Sequence, residues 1–145
     1  MDFFNRLFIA ITQVHPTHPM IVHFPIALTG TAFLFILIAY WKKNASLEQA
    51  AFANVVLAAI STIAAGITGY IDNIKNYVGD APNAGAKIVL AIVLFLLTTG
   101  ISIARFRNPG IFQKGNGLLY AGSYGLSFAI AIVLAFLGGV ILYGF

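Results

Sequence analysis

The chain has no cysteine, which excludes disulfides, iron–sulfur ligation and thiol-attached haem. Charge is nearly as scarce. Asp, Glu, Lys and Arg make up 8% of the 145 residues, where a soluble domain carries about 25%. Only four side chains are acidic. Such a chain cannot coat its surface with polar groups. It also lacks a phosphate-binding loop, a Ser-His-Asp set and metalloprotease spacing, and nothing between its apolar runs is long enough for a soluble substrate-binding domain. The net charge of +4 is not a nucleic-acid footprint, because the basic residues stand beside apolar runs, where they act as topology and headgroup anchors.

What is present is hydrophobic: 60% of residues, with a mean hydropathy of +0.93. Lipid is the solvent such a composition needs. Four runs are long enough to cross a bilayer core of about 30 Å at ~1.5 Å per residue: residues 20–41, 50–71, 87–104 and 118–145. Tyr40-Trp41-Lys42-Lys43 closes the first with an aromatic and basic edge. Residues 44–49 read as a short polar turn, and residues 72–86 as a loop carrying the turn signal Asp80-Ala81-Pro82-Asn83. Asn108-Pro109-Gly110 stops the third run. The expected fold is all-α: an integral membrane four-helix bundle, one domain over residues 15–145, behind an interfacial segment at residues 1–14.

In that first segment Phe3, Phe4, Leu7, Phe8 and Ile11 share a helical face, as suits a short helix lying in the membrane interface. Asp2, the absence of an early basic cluster and the lack of a small-residue cleavage site disfavour a signal peptide. Lys42, Lys43, Arg105, Arg107 and Lys114 lie on one side of the four runs, and Arg6, Lys75 and Lys87 on the other. The positive-inside rule then places both termini on the outer side. Small residues recur every fourth position at Gly117, Ala121, Gly125 and Ala129, at Ser127, Ala131, Ala135 and Gly139, and at Ala58, Thr62 and Gly66 beside Ser61, Ala65 and Gly69. They predict close helix contacts, first within the bundle.

The chemistry-bearing stretch is His15-Pro16-Thr17-His18-Pro19-Met20-Ile21-Val22-His23-Phe24-Pro25, which holds all three histidines. Pro19 suits a first helical turn. Pro25 cannot donate to the Ile21 carbonyl and should kink or loosen the helix there. Residues five apart point about 140° apart on a helix, so His18 and His23 cannot clamp one haem iron between them. A single-ligand haem b or other tetrapyrrole, a site shared with another chain, or a hydrogen-bonded quinone stays open, with His18, His23 and Asp72 as the candidate cofactor-binding residues. Asp72 ends the second run at the same membrane face. His15, His18 and His23 also carry ligand atoms for a metal ion, although prolines separate them. Interfacial hydrogen bonding alone would equally account for these histidines.

The sequence His18-Pro19-Met20-Ile21-Val22-His23-Phe24-Pro25-Ile26-Ala27 resembles the opening of a bacterial family of small four-helix membrane proteins, and Gly69-x-x-Asp72 resembles that family's second marker. The resemblance covers nearly the whole chain from His15. It implies redox company, since relatives are similar to membrane modules joined to Rieske-type or c-type cytochrome domains. The family pattern adds a histidine near the third helix, where this chain reads Asn83-Ala84-Gly85-Ala86-Lys87-Ile88. The expected role is a non-catalytic accessory subunit of a respiratory or photosynthetic electron-transfer complex in the bacterial cytoplasmic membrane. Its partners would be the lipid bilayer and other membrane-protein subunits. The alternative is an electron carrier binding haem b, another tetrapyrrole or quinone. Paired charges within the spans, which a transporter would need, and a poised general acid or base are both missing.

Overall fold

The structure is a computed structural model that describes residues 2–9, 17–113 and 117–143. Its helices are α1 (Phe3–Ile9), α2 (Thr17–Lys42), α3 (Ala45–Tyr77), α4 (Ala84–Arg107) and α5 (Gly117–Tyr143). The last four are long and apolar enough to cross a membrane. They pack as an up-and-down ring in which α2 meets α3 most extensively, α2 meets α5, α3 meets α4, and α4 meets α5 least.

One rule explains which side chains face inward. The buried positions step by four and three: Pro25, Thr29, Ala32, Ile36 and Ala39 on α2; Ala51, Val55, Ala58, Thr62 and Ala65 on α3; Leu94, Thr98 and Ile101 on α4; Tyr120, Tyr124, Ser127 and Ala131 on α5. A step averaging about 3.5 residues keeps one stripe facing its neighbours in left-handed helix packing. The stripes are rich in Ala, Thr and Ser, while Leu, Ile and Phe are turned out, among them Leu34, Ile60, Leu96 and Phe136. Without water to drive apolar side chains together, small residues at the contacts let backbones approach and large ones meet lipid. The threonine hydroxyls of these stripes satisfy themselves on their own helices: Thr29 Oγ1 donates to Pro25 O at 2.7 Å, Thr62 Oγ1 to Ala58 O at 2.7 Å and Thr98 Oγ1 to Leu94 O at 2.8 Å.

The strict every-fourth rows do not hold. A row of fours drifts about 40° per step round a helix, so Gly66, Ala129 and Ala135 end on the outside. The α2–α5 contact is instead reciprocal. A Cβ on Gly30 would meet the Phe128 ring at 2.9 Å, and one on Gly125 would meet the Phe33 ring at 2.9 Å. Each glycine is the seat of the other helix's phenylalanine.

The helices also start and stop differently from the apolar runs. Residues 45–49 belong to the first turns of α3, not to a turn. Asn44 caps them, its Oδ1 accepting from Ser46 N at 2.9 Å and Leu47 N at 3.2 Å. Lys43 takes a left-handed φ of 50°, and Asn44 N–H closes α2 on Ala39 O at 3.0 Å. α3 runs on to Tyr77 before Asn73 gathers the next turn, its backbone oxygen accepting from Gly79 N and its side-chain oxygen from Ala81 N. α2 continues through buried Pro25 without a break. Loss of one backbone donor is tolerated there because the surrounding helices hold the turn.

Candidate functional site

The same inward stripe, extended beyond the core, selects the polar residues at both membrane edges. His18 lies seven residues before Pro25 on α2, Lys87 seven before Leu94 on α4, and Asp72 seven after Ala65 on α3. All three are therefore in phase with buried positions, and all three are half-buried. His23 is out of phase and exposed.

His18 packs against α3. Its Nδ1 stands 3.3 Å from Thr68 Oγ1. When the Thr68 hydroxyl gives its proton to Ala64 O at 2.9 Å, it accepts from His18, and Nδ1 is then the protonated nitrogen. Nε2 is left with its lone pair. Beneath the ring lies Gly69, where an added Cβ would come 2.8 Å from Cε1, 3.2 Å from Nδ1 and 3.3 Å from Nε2. Such similar distances place the ring face, not an edge, over the glycine. Only a residue without a side chain fits there. Asp72 and Lys87 both lie within electrostatic reach of the ring, one of each sign, and Asp72 also acts on Lys87. The Asp72 carboxylate accepts a hydrogen bond from Asn76 Nδ2 one turn further along α3. Three helices thus bring an imidazole, a carboxylate and an ammonium to one edge.

His23 does not join them. A carbonyl can only accept, so its Nδ1–H donates to Pro19 O on its own helix. His15 lies outside the described residues. Among the described residues, no three His, Cys, Asp or Glu side chains come within reach of one metal ion. Lys87, counted in the sequence only as a topology charge, is the member of the cluster that reading missed.

A second cluster was missed altogether. Glu48 is only 3% exposed. Arg105 holds it with two parallel hydrogen bonds, Nε to Oε1 at 2.6 Å and a terminal nitrogen to Oε2 at 2.9 Å. Tyr120 donates to Glu48 Oε1 at 3.0 Å, so the 2.7 Å contact between the two tyrosines must run from Tyr124 O–H to Tyr120. The Arg105 guanidinium sits over the Phe52 ring, 5.5 Å from its centroid. Glu48 at the start of α3 and Arg105 at the end of α4 each complement their own helix dipole as well as one another. The signal lay in phase: Glu48 is three residues before Ala51 on the α3 stripe, and Arg105 four after Ile101 on that of α4.

Residues 14–144 match the family model described as "Predicted membrane protein (DUF2231)". The chain belongs to this family. No curated protein and no solved structure matches it. As a DUF2231 member it is a multi-pass membrane protein, with four candidate spans in contact with the lipid bilayer.

Proposed function

We propose that this DUF2231 protein is a non-catalytic accessory subunit of a membrane electron-transfer complex, respiratory or photosynthetic, which it helps to scaffold from the bacterial cytoplasmic membrane. The observation that carries this reading is the bundle's self-sufficiency. The inward stripes are filled by small side chains, and the buried ionic network at Glu48 is closed by its own partners. What stays available is the His18–Asp72–Lys87 edge and a broad apolar exterior, which suit contact with other subunits. The redox setting rests on the resemblance of the His18–Ala27 segment to membrane modules joined to Rieske-type and c-type cytochrome domains. Both termini lie on the outer side in this reading, and α1 rests in the interface with Phe3 and Phe4 outward. Affinity purification in mild detergent tests it. Stoichiometric co-purification of redox subunits is the expected result, and a free, monodisperse chain recovered from a strain with an intact complex overturns it.

A second reading is favoured by the unengaged Nε2 of His18. That lone pair suits one axial bond to a tetrapyrrole such as haem b, or acceptance of a quinol hydroxyl with Lys87 as the facing donor. Such a group would supply one-electron chemistry, while His18 held and oriented it. A Soret band lost in His18→Ala but kept in His23→Ala supports the tetrapyrrole form. A colourless, fully assembled preparation removes it.

A further inference from the structure

On the lipid side of the ring, α4 and α5 part to leave a groove of about 290 Å³, which shares Leu119 and Ser123 with an adjoining open surface on α5 alone. Gly100 lines the groove and Gly122 the α5 surface beside it, and a Cβ at either would meet nothing within 4 Å. Apart from Ser123 and Tyr120 the groove's lining is apolar, and at one end it reaches Ala104 and Ile111 at the Glu48 edge. Gly100, Ala104 and Arg107 follow one another along a single stripe of α4, which puts Arg107 three residues beyond Ala104, the last α4 residue that lines the groove. Arg107 is exposed and makes no hydrogen bond or ion pair among the described residues. From Leu96 to Arg107 the stripe covers about 16 Å, half of a bilayer core of about 30 Å, which is the depth of one leaflet's acyl chains. Charge at this edge is one-sided. Lys42, Lys43, Arg105 and Arg107 face one described carboxylate, Glu48, which is already taken by Arg105.

We propose that the α4–α5 groove is a binding site for one phospholipid with an anionic headgroup, an acyl chain lying over Gly100 and Gly122 and the phosphate meeting Arg107. The groove supplies apolar length for a single leaflet, and the arginine supplies the headgroup preference. The site is independent of any redox role, so its failure would leave that reading untouched.

The test uses the full chain in mild detergent, with phosphatidylglycerol or phosphatidylcholine added and native mass spectrometry and thermal unfolding as readouts. The wild type should retain one phosphatidylglycerol and gain thermal stability from it, with little response to phosphatidylcholine. Arg107→Gln should lose about fivefold in apparent affinity for phosphatidylglycerol, the factor one basic side chain is worth at an anionic surface, and leave phosphatidylcholine binding unchanged. Gly100→Leu, which fills the groove, should lower retention of both lipids, with circular dichroism confirming the helical fold. Equal retention of the two lipids by the wild type overturns the proposal. So does an unaltered preference in folded Arg107→Gln, or recovery of a prenylquinone or a second polypeptide in the groove in place of phospholipid.

Discussion

At the Glu48 edge the polar atoms turn inward and end on one another: Arg105 and Tyr120 both donate to the carboxylate, and Tyr124 donates to Tyr120. At the His18 edge the groups face each other without closing. His18 spends one nitrogen on Thr68 and keeps the other, Asp72 turns to Asn76, and Lys87 is reached only through space. The two clusters lie roughly 36 Å apart along α3, a little more than a hydrocarbon core. Position in the membrane is therefore equivalent, and satisfaction is not. A buried carboxylate in lipid must be neutralised within the fold, so the closed network reads as architecture. A half-buried imidazole with a spare lone pair has capacity left for something outside the chain.

The comparison can be broken most severely at Arg105. Arg105→Met leaves Glu48 buried without its cation, and a loss of about 3–5 kcal/mol is expected, measured as unfolding in mixed micelles. The double substitution Glu48→Leu with Arg105→Met should recover much of that loss; equal destabilisation in both would show that packing, not charge pairing, holds this edge. Tyr120→Phe removes one donor from the carboxylate and should cost about 1.5–3 kcal/mol by the same measurement. At the other edge Gly69→Ala forces the His18 ring away, an overpacking expected to cost about 1–3 kcal/mol. Its readout is the His18 imidazole resonance by NMR, which should move; an unmoved resonance would mean the ring is not seated on α3. His23→Ala sharpens the contrast from the weak side. With its ring exposed and bonded only to its own helix, stability should change by less than about 0.5 kcal/mol, and a larger change would place His23 in a contact the phase argument denies it.

Much of this was legible residue by residue. The four spans follow from apolar length, and the aromatic-basic edge at Tyr40 to Lys43 from headgroup chemistry. His18 and Asp72 were recognised as sharing a face of the membrane, and they lie close enough to interact electrostatically. Glu48 was misread because it follows Asn44-Ala45-Ser46, whose polarity suggests a turn. Asn44 is instead a cap, and a cap makes the residues after it helical. The rows of small residues misled for a related reason, since a spacing of four was followed where the packing alternates four with three.

Taken alone, the amino-acid order determined the solvent, the number of crossings and the chemical kinds of group at each edge, because those depend on composition and run length, which act locally. Which histidine faces inward, which acid is buried and which glycines receive a neighbour's ring were decided only by the tertiary structure. The reason is angular: a few tens of degrees of helix rotation exchange a lipid-facing side chain for a buried one, and that rotation is set by how all four helices interlock, as Phe33 and Phe128 do over Gly125 and Gly30.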